Sequence, residues 1–102
     1  MILYNVTVSV DPDAREAWVE WMRSTHIPEV MATGLFLEHR FYRVLSEDPH
    51  EVTYAVQYLC ADRDTYERYR ADHAPRLQAA TARQFGDRIS AFRTLLEAVA
   101  PA

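Results

Sequence analysis

The stretch His26-Ile27-Pro28-Glu29-Val30 returns 47 positions later as His73-Ala74-Pro75-Arg76-Leu77. Each copy lies in the second half of a helical pattern and sets a histidine two residues ahead of a proline. A proline inside a helix removes one amide donor and crowds the carbonyl four residues back, so each copy predicts a kink or a restart. Matching kinks in two helices point to a duplicated βαβ unit.

Working outward from the first copy, Ile2 to Val10 alternates, with Ile2, Tyr4, Val6, Val8 and Val10 on one face and Leu3, Asn5, Thr7 and Ser9 on the other. That is the period of a half-buried strand. Asp11-Pro12 offers an N-cap carboxylate and a proline for the first helical turn, with Asp13 three before Glu16 as an alternative capping box. The helix carries the stripe Val19, Met22, His26 and Val30 and ends at Gly34, a residue suited to the left-handed turn after a helix. Leu35 to Glu47 reads as a second strand, Asp48-Pro49-His50-Glu51 as a hairpin connection, and Val52 to Cys60 as a third strand.

The second half repeats the first. Asp62-Arg63-Asp64, with Glu67 three after Asp64, caps a helix whose stripe is Tyr66, Tyr69, His73, Leu77 and Ala80. Gly86 closes that helix, and Arg88 to Val99 is the last strand. An offset of 50 pairs the strands, setting Tyr4 with Tyr54, Arg43 with Arg93 and Glu47 with Glu97. The match involves unusual residues as well as apolar ones, which makes it evidence of a repeat.

Two βαβ units in tandem give an α+β, ferredoxin-like βαββαβ fold: a four-stranded antiparallel sheet, first and third strands central, with both helices on one face. The opposite face is mixed, with Asn5, Thr7, Ser9, Thr53 and Gln57 beside Leu3, Ala55 and Leu59. The chain has no spare element to cover it, so the expected partner is a second copy, sheet face to sheet face, around a part-polar cavity.

Length and composition bound the chemistry. A chain of 102 residues, 49% hydrophobic and 25% charged, reads as one domain over 1–102 with a core of its own. Apolar runs are strand-sized, well short of the roughly 18 to 20 residues of a membrane span, and no basic start precedes one, so the expected location is the cytoplasm. A lone Cys60 forms no intrachain disulfide, which suits a reducing compartment. All eleven basic residues are arginine, which excludes lysine Schiff bases. Two glycines allow neither a P-loop nor a dinucleotide fingerprint, and one cysteine excludes cysteine-rich metal and iron–sulfur sites. With a net charge of −4 and no basic run, nucleic acid and anionic membranes are not expected partners. An RNA-recognition reading fails too, because Glu51-Val52-Thr53-Tyr54 lacks the basic and glycine residues of the third-strand signature. No metal spacing and no cofactor motif is found.

Tyr4-Asn5-Val6-Thr7-Val8, His26-Ile27-Pro28-Glu29-Val30, Ala74-Pro75-Arg76-Leu77-Gln78 and Phe92-Arg93-Thr94-Leu95-Leu96-Glu97 together resemble a small bacterial family, domain of unknown function 4286. The resemblance covers nearly the whole chain. It implies a ferredoxin-like fold of the dimeric α+β barrel kind and carries no activity, substrate or site residue.

Candidate residues therefore come from the pattern alone. His26 and His73 are candidates for acid/base or ligand roles, since imidazole titrates near neutrality and binds metals, and some other dimeric α+β barrels hold haem through a helix histidine. The structural alternative has each histidine bonding a carbonyl released by its proline. Arg43 and Arg93 are candidates to clamp a small anion, lining one inter-sheet pocket with Asn5, Thr7 and Gln57; both parities of the outer strands are mixed, so their face stays open. Trp18, Trp21, Tyr66 and Tyr69 read as core. Two functions follow: a non-catalytic homodimeric binding or assembly module, or, as the alternative, a small-molecule enzyme or haem- or ligand-binding protein of the same fold.

Overall fold

The computed structural model describes residues 1–100, so the last two positions of the 1–102 span lie outside the described residues. Strand β1 runs Ile2–Val10. The Asp11 carboxylate accepts from the amide of Asp13 at 3.0 Å and opens one 3₁₀ turn before helix α1, Arg15–Trp21. A π turn at Met22–His26 then leads without a gap into α2, Ile27–Ala32. Strands β2, Glu38–Arg43, and β3, Thr53–Cys60, form a hairpin. Helices α3, Arg63–Asp72, and α4, Ala74–Phe85, precede β4, Ile89–Glu97.

Both proline stretches break their helices, in related ways. Pro28 and Pro75 each fall in the first turn of the α-helical segment that follows, a position that tolerates proline. Before Pro28 the chain absorbs the restart as a π turn, with Ile27 N–H donating to Met22 O five residues back. Before Pro75 it opens at His73, where φ is −126° and ψ −37°. In both copies the buried position moves on by one residue at the same place in the repeat. Ile27 and Ala74, related by 47, take the core sites expected for the histidines, while His26 and His73 move to half-buried flanks.

Sheet order is β2-β3-β1-β4 with every neighbour antiparallel, and the first and third strands are central as expected. Tyr4 stands opposite Tyr58 and Leu95, Val6 opposite Val56 and Arg93, and Val8 opposite Tyr54 and Ala91. Directly opposed residues share a face. That face meets the helices, whose Trp18, Val30 and Leu77 are each at most 1% exposed against buried Tyr58 and Val56. Among the described residues no helix is long and apolar enough to cross a membrane.

Three boundaries differ from expectation. β2 is shorter than Leu35 to Glu47: its last ladder bond is Val44 N–H to Thr53 O, and side-chain bonds such as Ser46 Oγ to Glu51 at 2.7 Å hold the following residues in a loop. β4 stops at Glu97, opposite Ile2, with one further backbone bond beyond it, Ala98 N–H to Met1 O at 3.0 Å. Asp62, not Asp64, caps α3, its carboxylate accepting from the Thr65 amide at 2.8 Å and the Thr65 hydroxyl at 2.6 Å.

If the helix–sheet seam carries the stability, Leu77→Ala should lower the unfolding free energy by about 2–5 kcal/mol in urea denaturation. Leu45→Ala, at a side chain 90% exposed, should move it by less than about 0.5 kcal/mol.

Candidate functional site

On the helix side, the sheet has a depression toward each edge. The one toward β4 is a cavity of about 50 Å³ whose walls include Trp18 from α1, His26 from the π turn, Tyr58 from β3 and Arg93 from β4. Three polar atoms among its lining residues, Trp18 Nε1, His26 Nδ1 and Tyr58 Oη, are buried with no hydrogen-bond partner among the described residues. Leaving one such group unpaired costs about 1–3 kcal/mol. All three belong to residues that line this one cavity.

Each group is fixed by its own packing. The Trp18 indole sits 5.1 Å from Tyr54 and 5.7 Å from Phe41, centre to centre. The π turn sets the His26 ring against Trp21 at 5.0 Å and 24°, and Trp21 rests in turn on Phe85 at 5.4 Å. Tyr58 belongs to an aromatic cluster with Phe36, 5.2 Å away, and Tyr4, 6.0 Å away. Arg93 Nε donates to Tyr4 Oη at 3.1 Å, which holds the guanidinium at the cavity wall.

Burial, and secondarily the positive charge of Arg93, lowers the His26 pKa to about 4. At neutral pH the ring is therefore an uncharged base. Burial, together with the nearby Tyr69 and Tyr4, pushes the Tyr58 phenol far up, so it stays an O–H donor. The cavity thus offers a neutral base, a phenol, an indole N–H and a cation. Its volume holds only a few heavy atoms, far below the ~300–1,000 Å³ of sites that enclose a whole drug-sized ligand. Gln78 and Arg93 line it and are themselves exposed, which puts the opening between α4 and β4. This arrangement admits the polar end of a compound and does not fit a porphyrin, so the haem reading of His26 finds no room.

The remaining sequence candidates separate. His73 Nδ1 lies 3.0 Å from an Arg76 guanidinium nitrogen at the surface and borders no such cavity. Neither Nδ1 takes up a carbonyl partner freed by its proline: His26 Nδ1 has none and His73 Nδ1 meets Arg76. Arg43 and Arg93 do not join Asn5, Thr7 and Gln57 in one pocket, because the register opposes them to Tyr54 and Val6 on the helix side. Asn5, Thr7 and Gln57 lie on the open face, bonded to one another at 3.1 and 3.2 Å. Around them stand Tyr42, Phe92 and Leu96, between 47% and 63% exposed. Trp18 and Tyr58 were legible only as core positions, since alternation and helical period mark a wall residue and a packed one alike. Among the described residues no group of three or more His, Cys, Asp and Glu could hold a metal ion. Buried Cys60 has its thiol pKa raised by that burial and sits 3.5 Å from Asp62 O.

Comparison with solved structures finds the same fold elsewhere. A dimeric ferredoxin-like protein from an uncultured marine organism superposes with a TM-score of 0.74 at 7% identity, over 100% of this chain and 98% of that one. An EthD family protein from Bacillus halodurans gives 0.69 at 14%, over 97% and 100%. An antibiotic biosynthesis monooxygenase gives 0.69 at 17%, over 98% and 100%. At such identities the likeness extends to the fold alone. No curated protein is similar in sequence. The family described as Domain of unknown function (DUF4286) matches residues 1–99, and the chain belongs to it.

Proposed function

We propose that the protein is a cytoplasmic homodimer, joined through its open sheet faces, in which each protomer takes the polar end of a small enolisable or phenolic compound into the helix–sheet cavity and moves a proton on it. The observation that carries this reading is the set of three unpartnered polar atoms around one cavity. Self-association alone would account for the exposed Tyr42, Phe92 and Leu96 and leave those three atoms unexplained. The free, buried Cys60 suits a reducing compartment.

In this mechanism the His26 Nδ1 lone pair takes a proton from the substrate C–H or O–H. The bonding electrons pass to the substrate oxygen, and the resulting enolate or phenolate accepts from Tyr58 O–H and Trp18 N–H. Arg93 supplies positive charge at the rim. A positioned base contributes about 10²–10⁴ in rate, and one oxyanion donor about 10²–10³. An anion held beside Arg93 offsets the charge that depresses the His26 pKa, so the base strengthens as the oxyanion develops.

Hydrogen–deuterium exchange of pentane-2,4-dione in D₂O, followed by NMR, tests the activity. Wild-type protein should accelerate exchange above buffer, His26→Asn should remove about 10²-fold or more of the gain, and Tyr58→Phe a comparable share. Exchange at the buffer rate, or unchanged in both variants, would sink the reading.

The buried imidazole also predicts a pH effect. Its folded pKa lies below the 6.5 of a free imidazole, so its contribution is fully present above pH 6.5 and is lost as pH falls toward 4, by about 3 kcal/mol in all. Urea titrations of His26→Asn should show a correspondingly shallower decline across that window.

Sedimentation equilibrium at micromolar concentration should return a dimer, and Phe92→Glu combined with Leu96→Glu a folded monomer by circular dichroism. A monomeric wild type would remove the assembly from the proposal.

A further inference from the structure

The depression toward the β2 edge is larger and differently built. It is a groove of about 610 Å³ between β2 and the π turn and α2. That volume falls within the range of sites that take a whole small molecule. Its apolar wall comes from Val19, Ile27, Met31 and Phe41, and its charged residues are Arg23 and Arg43. No carboxylate lines it, although the chain carries a net charge of −4. Among the described residues the ion pairs are Arg40 with Glu38 and Arg70 with Glu67, so neither Arg23 nor Arg43 is paired with an acid. Glu16 and Glu20 line an adjoining depression that shares Val19, Arg23 and Tyr54 with the groove, so Arg23 stands at the border between the two and Arg43 lies in the groove alone.

We infer that this groove is a second binding site, for a small amphipathic organic anion: an aryl or short-chain alkyl carboxylate or sulfonate. The apolar wall receives the hydrocarbon body, and the two guanidinium groups, from the π turn and from the edge strand, receive the anionic head. Arginine suits this role because its planar fork meets a carboxylate or sulfonate with two hydrogen bonds at once. The charge complementarity favours a free anion over a neutral apolar segment of a partner protein, which would leave both arginines unmatched. Arg43 is the repeat counterpart of Arg93, and each faces the helix layer from an outer strand. The duplication therefore placed a cation beside each depression. Trp18 stands between the two, its indole against Phe41 and Tyr54 of the groove while it lines the inner cavity. The inference stands independently of the proton-transfer reading, since it uses neither His26 nor Tyr58.

The test is titration of the full-length protein with 2-naphthoate and, in parallel, with the uncharged 2-naphthamide, mapped by amide and methyl NMR. Naphthoate should shift the resonances of Ile27, Met31 and Phe41, with the amide binding at least about ten-fold more weakly. Arg43→Gln and Arg23→Gln, both at exposed side chains, should each weaken naphthoate by about ten-fold while leaving the thermal midpoint and the dione exchange rate unchanged. Equal affinity for acid and amide, or shifts confined to the open sheet face or the inner cavity, would overturn the site. So would a loss of self-association in Arg43→Gln, which would give the groove to a second copy of the chain. Failure of dione exchange with naphthoate binding intact would leave this inference standing and remove only the other.

Discussion

A backbone amide that proline does not possess organises this molecule. Two helices each meet a proline partway along, and in each the proline falls in the first turn of the segment that follows. The buried position moves on by one residue in both copies, through a π turn in the first and an opening at His73 in the second. Ile27 and Ala74 enter the core at positions the unbroken period assigned to His26 and His73. Without the π turn, the imidazole of His26 would lie in the middle of the seam, among Met22 and Val30, and the cavity would lose its base.

The same event had different consequences in the two halves. Around His73 the chain opens to the surface, and Arg76 three residues on occupies the ring nitrogen. Around His26 the chain stays helical, the ring stacks on Trp21, and its Nδ1 is left without a partner beside a cationic side chain from an outer strand. The duplicated backbone thus carries diverged side chains, with one histidine at a cavity and the other at the surface. The arginines diverged less: both face the helices, one at a small polar cavity and one at a wide apolar groove.

Burial arranges the electrostatics around His26 with few charges. Withdrawing an imidazole from water beside a guanidinium keeps it neutral, and withdrawing a phenol keeps its proton on. The result is a base and a donor held in opposite protonation roles at the same pH, without a carboxylate. The open sheet face works by another logic, with polar groups satisfied among themselves at its centre and apolar side chains exposed around them. One face of the sheet therefore has unmet hydrogen bonds and the other has unmet apolar area.

Signals of short period settled the elements and their order, but not the ends of β2 and β4 or which residue of each proline stretch enters the core. Alternation over Ile2 to Val10 and Val52 to Cys60, the caps at Asp11 and near Asp62, and the two proline stretches specify the elements, their order and the βαββαβ topology. Each of those signals is carried by residues within a few positions of one another, where backbone sterics and amide bonding act directly. What the fold alone decided is longer in range. The face taken by Arg43 and Arg93 depends on their register with the central strands, because the alternation of an outer strand mixed on both parities names no inside. The identity of Trp18 and Tyr58 as cavity walls depends on four elements meeting and failing to fill one volume, a property of packed shape that no stretch of sequence holds by itself.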